Sequence, residues 1–203
     1  MTYAPAQQRA RYKSYQEYLD DASLSPEGNY RLLSTGELIE VVAEDDLNRR
    51  IAFRLLKALL FTLEDALSEC ICNGNKEVQV PPVGDQRVSR KPDILVLHPE
   101  HLAIARQAVL LEMVPPLFVA EVVSPGGENS ENYKRDYVWK RQQYEEMGIP
   151  EYWIIDPHLE KVTVLVLVDG AYVENVYVAS EPVVSKMFPT LSVTVEALLQ
   201  GDS

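Results

Sequence analysis

The sequence predicts an α/β fold in three layers, a mixed central sheet flanked by helices with antiparallel hairpins at its edges. Three observations predict it. Residues 117–123 are apolar on both faces apart from Glu121, as a strand in the middle of a covered sheet must be. Two long segments, one around 47–60 and one over 130–147, have the spacing of amphipathic helices. Residues 162–168 and 172–178 alternate around Asp169-Gly170, the strongest short hairpin signal in the chain.

In chain order, residues 1–27 read as a peripheral segment, with a short helix over 14–22 stopped by Pro26-Glu27-Gly28. Residues 28–203 read as one domain. Strands over 30–33 and 37–42 flank Ser34-Thr35-Gly36, a composition that favours a hairpin loop. Leu47, Ile51, Leu55, Leu56, Leu59 and Leu60 then mark an amphipathic helix that starts near Asp45 or Asp46 and covers a sheet. Short strands follow over 77–80 and 94–97, the second introduced by Pro92, which cannot donate to a ladder. After the apolar strand over 117–123, the helix over 130–147 is closed by Gly148 with Pro150 beyond. Another apolar strand over 152–155, the Asp169-Gly170 hairpin and a short helix over 195–199 complete the chain.

Charge narrows the function. Lys and Arg number 19 against 31 Asp and Glu, a net charge of −12 with pI ≈ 4.7, so a generally basic, nucleic-acid-coating surface is excluded. Hydrophobic content of 46% and charged content of 25% suit a soluble domain with a substantial core. No apolar run approaches the roughly 20 residues that span a bilayer, so no membrane partner is expected. The polar start of the chain lacks the apolar block of a secretory signal, which predicts a cytoplasmic protein. Cys70 and Cys72 supply at most half a tetrahedral zinc site and read as two reduced thiols. His98 and His101 lack a further nitrogen or sulfur ligand and read as loop histidines. Gly126-Gly127 reads as a turn, because neither phosphate-loop pattern is present, and no Gly-x-Ser-x-Gly elbow exists for a serine hydrolase.

Glu121 is the most informative residue. An ionised carboxylate in a core strand must be paired, protonated or bound to a metal. Asp93 stands at the mouth of a second apolar strand, far enough upstream for a turn and a helix to bring the two strands side by side. Two converging carboxylates repel unless a divalent cation lies between them, and oxygen ligands suit Mg²⁺ or Mn²⁺. The alternative is a structural ion pair for Glu121 and a turn-capping role for Asp93. On the following helix, Tyr133, Tyr137, Lys140 and Tyr144 fall within about 60° of one another at 100° per residue, which embeds one cation in an inward aromatic stripe. Lys140 either reaches the same strand-end pocket or snorkels to solvent. Two acids, a divalent ion and an amine are equipment for polarising a phosphodiester and delivering water to phosphorus.

These residues resemble the PD-(D/E)xK nuclease superfamily, in which a strand-starting Pro-Asp, a Glu-x-Lys on the next core strand and a following helix build one metal site. The first element here is Pro92-Asp93. More narrowly, Val119-Ala-Glu-Val-Val-Ser-Pro125, Asn132-Tyr-Lys-Arg-Asp-Tyr137, Lys140-Arg141, Gln143-Tyr144 and Gly148-Ile-Pro-Glu-Tyr-Trp-Ile-Ile-Asp-Pro157 resemble a restriction endonuclease family abundant in cyanobacteria. Gly36-Glu-Leu-Ile39 and Leu47-Asn-Arg-Arg-Ile-Ala52 extend the likeness to nearly the whole chain. The resemblance implies a restriction-endonuclease-like fold with Asp93 and Glu121 as metal ligands. Val123 stands where Glu-x-Lys would place lysine, and Lys140 is the candidate replacement from the helix. Glu37 is a candidate third acid beside the metal, with Glu40 as its neighbouring alternative. Gln143 and Tyr144 resemble residues that some superfamily members place near DNA, and Arg90 joins them as a candidate substrate contact.

Phosphate contacts from Lys and Arg normally supply most of the affinity for DNA, which a charge of −12 opposes globally. Locally, Arg87, Arg90 and Lys91 precede Asp93, and Lys134, Arg135, Lys140 and Arg141 follow Glu121, so they could ring the pocket. A homodimer would join two such rings. The leading expectation is a Mg²⁺-dependent endonuclease-like phosphodiesterase acting on DNA, with Asp93 and Glu121 on the metal and Lys140 positioning the attacking water. The rival is a non-catalytic nucleic-acid or protein interaction module that retains the fold.

Overall fold

The computed structural model describes residues 11–24, 30–40, 46–126 and 130–200. Expectations that fall on 1–10, 26–28, 41–42, Asp45 and Gly127 lie outside these residues. In chain order the described residues form α1 (Tyr15–Leu19), β1 (Tyr30–Leu32), β2 (Leu38–Glu40), α2 (Asp46–Thr62), α3 (Asp65–Ser68), β3 (Ile71–Cys72) and β4 (Glu77–Gln79). There follow β5 (Ser89–Arg90), β6 (Ile94–Val96), α4 (His101–Ile104), β7 (Ala108–Val109) and β8 (Phe118–Val122). The second half holds α5 (Glu131–Lys134), a π-helical turn (Arg135–Trp139), α6 (Lys140–Met147), β9 (Glu151–Asp156), β10 (Lys161–Val168) and β11 (Ala171–Val178). The short strands β12 (Pro182–Val183) and β13 (Val193–Thr194) precede α7 (Val195–Gln200).

Six strands make the central sheet in the order β11-β10-β9-β8-β6-β3. Only β8 and β9 run parallel; the other neighbours are antiparallel, so the sheet is mixed, as the sequence predicts. A parallel pair needs a long crossover, and the helical stretch from α5 to α6 supplies it. Every residue of β8 is buried, which is why the strand could be apolar on both faces. At the far edge, Asp169 (φ 50) and Gly170 (φ 83) both adopt positive φ, the primed turn whose twist matches the β10–β11 ladder.

Helices flank this sheet. α2 buries Ile51, Ala52, Leu55 and Leu59, packs on β6 and β8, and lies beside α7. Arg54 Nη1 donates to the Leu198 and Leu199 carbonyls, 3.0 and 2.8 Å away, so α2 satisfies acceptors that the end of α7 would leave open. The Tyr144 ring of α6 meets that of Tyr152 on β9 edge-to-face at 4.9 Å. Gly148 at φ 80 ends α6, with the Ile149 N–H returning to the Tyr144 carbonyl at 3.0 Å.

Several elements differ from expectation. The helix over 130–147 is interrupted by its π turn, so the even phase of 100° per residue fails across 135–139. The strand over 77–80 exists as β4 but joins β5 and β7 in a separate three-stranded sheet. The first helix is shorter, and the strands of two residues went unpredicted. His101 opens a short helix rather than a loop, its ring held between the His98 N–H at 3.2 Å and the Val114 carbonyl at 2.8 Å. Both cysteines are free thiols. Among the described residues no helix is long and apolar enough to cross a membrane.

Candidate active site

Alternation along β8 sets Val119, Glu121 and Val123 on one face of the strand. Glu121 is 3% exposed, so its charge must be met by protein groups. Helix α6 meets it from above. Tyr144 Oη donates to Glu121 Oε1 at 2.7 Å, and Lys140 Nζ stands 2.9 Å from Oε2. Lys140 is also 2.7 Å from Asp136 Oδ1, one turn back in the π turn. Arg135 grips Asp136 with both ends of its fork, Nε to Oδ1 at 3.1 Å and Nη2 to Oδ2 at 3.0 Å. Arg135 is itself held by Asn132 Oδ1 and Ser124 Oγ, each at 3.0 Å. The result is an alternating chain, Arg135–Asp136–Lys140–Glu121–Tyr144, in which each buried charge faces an opposite charge or a donor.

The protonation states follow from this arrangement. Burial opposes ionisation of Asp136, but Lys140 and Arg135 outweigh it and hold its carboxyl below the ordinary carboxylate range. Burial first, and then the Glu121 charge, lift the Tyr144 hydroxyl well above its usual value, so it keeps its proton and acts as a donor. The π turn contributes to the placement, and the Asp136 carbonyl on it accepts from Tyr152 Oη at 3.1 Å.

Asp93 stands at the start of β6. The β6–β8 ladder pairs Ile94 with Ala120, and Asp93 Oδ2 accepts from the Val122 N–H at 2.6 Å, so this carboxylate lies beside the β8 backbone next to Glu121. Asp93 and Lys140, 7% and 8% exposed, are buried almost as deeply as Glu121. Asn48 of α2 donates to the Val122 and Val123 carbonyls, both at 3.3 Å, and clamps the end of the strand.

A strand-starting Asp beside a core Glu, met by a helical Lys, is the arrangement that the resemblance to the PD-(D/E)xK superfamily leads one to expect. Residues 14–196 match the sequence profile of the family described as putative restriction endonuclease (Uma2). The chain belongs to this family. A solved structure described as a putative nuclease belonging to DUF820 from Anabaena variabilis is similar, with a TM-score of 0.63 and 15% sequence identity over 92% of this chain and 97% of that one. At that identity the likeness shows the fold. No curated protein matches the chain.

The remaining candidates of this Uma2 chain fall in different places. Val123 is 1% exposed, with its N–H on the Ile155 carbonyl at 2.9 Å, so no cation arises from that position of β8. Glu37 lies in the N-terminal hairpin region, bridged to Arg11, with Thr35 Oγ1 at 3.3 Å from its carboxylate. It is not gathered with Asp93 and Glu121: among the described residues no group of three His, Cys, Asp or Glu is arranged to hold a metal ion. Arg90, Gln143 and Tyr144 are all buried. Gln143 Oε1 accepts from Arg90 Nε at 2.8 Å while its Nε2 donates to the Pro81 and Arg87 carbonyls. Arg141 faces outward and pairs with Glu174 at 2.7 Å. Asp136 was missed from sequence. Its one signal is the i, i+4 spacing to Lys140.

Proposed function

We propose that this chain is a divalent-metal-dependent, endonuclease-like phosphodiesterase acting on DNA. The observation that supports it most strongly is the 2.9 Å approach of Lys140 Nζ to Glu121 Oε2, on a strand whose neighbour begins with Asp93. The donor set fits a hard cation: Asp93 and Glu121 offer two carboxylates from adjacent strands, and Mg²⁺ is commonly held by one or two carboxylates with water completing its shell. Mn²⁺ suits the same oxygen ligands. When bound, such an ion supplies Lewis-acid polarisation of the phosphodiester and a water of lowered pKa.

The chain's own groups do the rest. Tyr144 fixes the orientation of Glu121, and Asn48 fixes the strand that carries it. Asp136, locked by Arg135, holds Lys140 with its ammonium toward Glu121. From there Lys140 orients the attacking water and offers a donor to the charge that develops on phosphorus-bound oxygen. Lys140 thereby takes the part of the lysine that Val123 replaces.

One observation favours the rival reading. Both oxygens of Glu121 already have protein partners, which also describes a structural network in a non-catalytic nucleic-acid or protein interaction module. The two readings separate when purified protein is incubated with supercoiled, linear, branched and single-stranded DNA in Mg²⁺, Mn²⁺ or EDTA. Cleavage of at least one form that requires the metal supports the phosphodiesterase. Absence of cleavage on every form, with calorimetry detecting no metal at millimolar concentration, establishes the module instead.

A further inference from the structure

Arginines gather behind Glu121 and Lys140 in a chain whose net charge is −12. Arg90 on β5 is 2% exposed. Its Nε donates to Gln143, but neither Nη1 nor Nη2 has a hydrogen-bond partner. The carboxylates whose charges reach Arg90, Glu121 and Asp136, are already bonded to Tyr144, Lys140 and Arg135. Arginine does not shed its proton in proteins, so the charge persists where burial makes it costly. Arg87 is half-buried nearby. Burial first, then the charges of Arg90, Arg135 and Arg31, push its guanidinium down to about 10. Arg135 is spent on Asp136, Asn132 and Ser124, and Arg31 Nη1 donates to the Tyr30 carbonyl. Arg90 thus keeps two buried donors to spare, Arg87 stands half-exposed three residues before it, and Gln143 ties the two together through the Arg90 side chain and the Arg87 carbonyl.

We propose that Arg87 and Arg90 form a phosphate-binding subsite beside the Glu121–Lys140 centre, taking the backbone phosphate next to the one that is cleaved. The planar guanidinium fork matches a tetrahedral oxyanion, and an anion bound by half-exposed Arg87 and Arg90 together would give the buried Nη donors of Arg90 the partners they lack. Gln143 is the positioning residue of the pair. The identity of the substrate strand rests on the nuclease reading; the capacity to bind phosphate does not.

The test uses the full chain in EDTA, where no cleavage can occur. Calorimetry measures inorganic phosphate against chloride at matched ionic strength, and fluorescence anisotropy measures a short single-stranded oligodeoxynucleotide over a range of salt. Wild type binds both. Arg87→Gln, at a half-exposed position, weakens each about tenfold or more and lowers the salt slope by about one. Arg90→Lys, which keeps the charge but loses the fork, weakens phosphate similarly, with circular dichroism confirming that each variant is folded. Arg141→Gln binds as wild type does. Failure of wild type to bind phosphate, or an Arg87→Gln affinity equal to wild type, overturns the subsite. Phosphate binding without cleavage in Mg²⁺ counts against the nuclease reading alone, and cleavage without phosphate binding counts against the subsite alone.

Discussion

Asp136 and Lys140, one turn apart on the helical crossover, meet at 2.7 Å, and the same ammonium reaches Glu121 at 2.9 Å. One lysine thus joins a helix carboxylate that is fully buried to a strand carboxylate that is nearly so. Removing either acid leaves a buried charge short of a partner, which costs far more than the pair gains.

Asp136→Asn should destabilise the protein by about 3–5 kcal/mol at neutral pH, measured by urea unfolding. The sign with pH follows from its depressed carboxyl pKa. Its contribution is complete above the unfolded value of about 3.9 and is lost as pH falls through the lower folded value. The gap between wild type and variant therefore narrows on acidification. A gap that stays constant from neutral pH to below pH 3 contradicts the assignment.

Tyr144→Phe keeps the ring packing against Tyr152 and deletes the donor to Glu121. A loss of about 1.5–3 kcal/mol is expected, as for a hydrogen bond to a charged group. In a double-mutant cycle with Glu121→Gln the two losses should be less than additive, because both remove the same bond. Simple additivity would show that the hydroxyl acts elsewhere.

Glu151, 1% exposed at the start of β9, accepts from Trp153 Nε1, Ser185 Oγ and the Lys186 and Met187 N–H groups, all at 2.7–2.8 Å. It fastens the segment after β12 to the central sheet. Glu151→Gln should cost about 1.5–3 kcal/mol and expose that segment to limited proteolysis near Lys186. Unchanged stability and an uncut segment would remove Glu151 from this role.

At Gly148 a Cβ would meet nothing closer than Pro115 Cγ at 4.0 Å, so the obstacle to alanine is its φ of 80 alone. Gly148→Ala should therefore lower stability by only about 1–2 kcal/mol, read from the shift in the urea midpoint with an unchanged slope. A much larger loss would mean that packing at the end of α6 had been disturbed.

What the sequence disclosed and what it hid have physical causes. β8 was legible because burial on both faces forces continuous apolarity, and Glu121 stood out against that background. The hairpin at Asp169-Gly170 was legible because few residues tolerate two consecutive positive φ values. Lys140 was legible from the aromatic stripe beside it. Asp136 was hidden because it sits at the margin of that stripe and because the π turn breaks the regular phase. β3, β5, β7, β12 and β13 were hidden because two residues carry no period and their pairing is decided by distant contacts. Glu151 reads as the flank of an apolar strand, and only the returning loop gives it three of its four donors. Arg87, Arg90 and Arg135 were legible as local cations flanking Asp93 and Glu121, whereas Arg31 was hidden, because its place beside them depends on the distant N-terminal hairpin.

The central claim is that Glu121 and Lys140 together perform metal-dependent phosphodiester cleavage, and variant nicking rates on the DNA form that wild type cuts fastest test it most directly. The account predicts that Glu121→Gln abolishes nicking in Mg²⁺ and that Lys140→Ala lowers it about a hundredfold or more. Lys140→Arg should also lose most activity while it keeps the ion pairs and a near-native melting temperature. Folded Glu121 and Lys140 variants that nick DNA at the wild-type rate would contradict it.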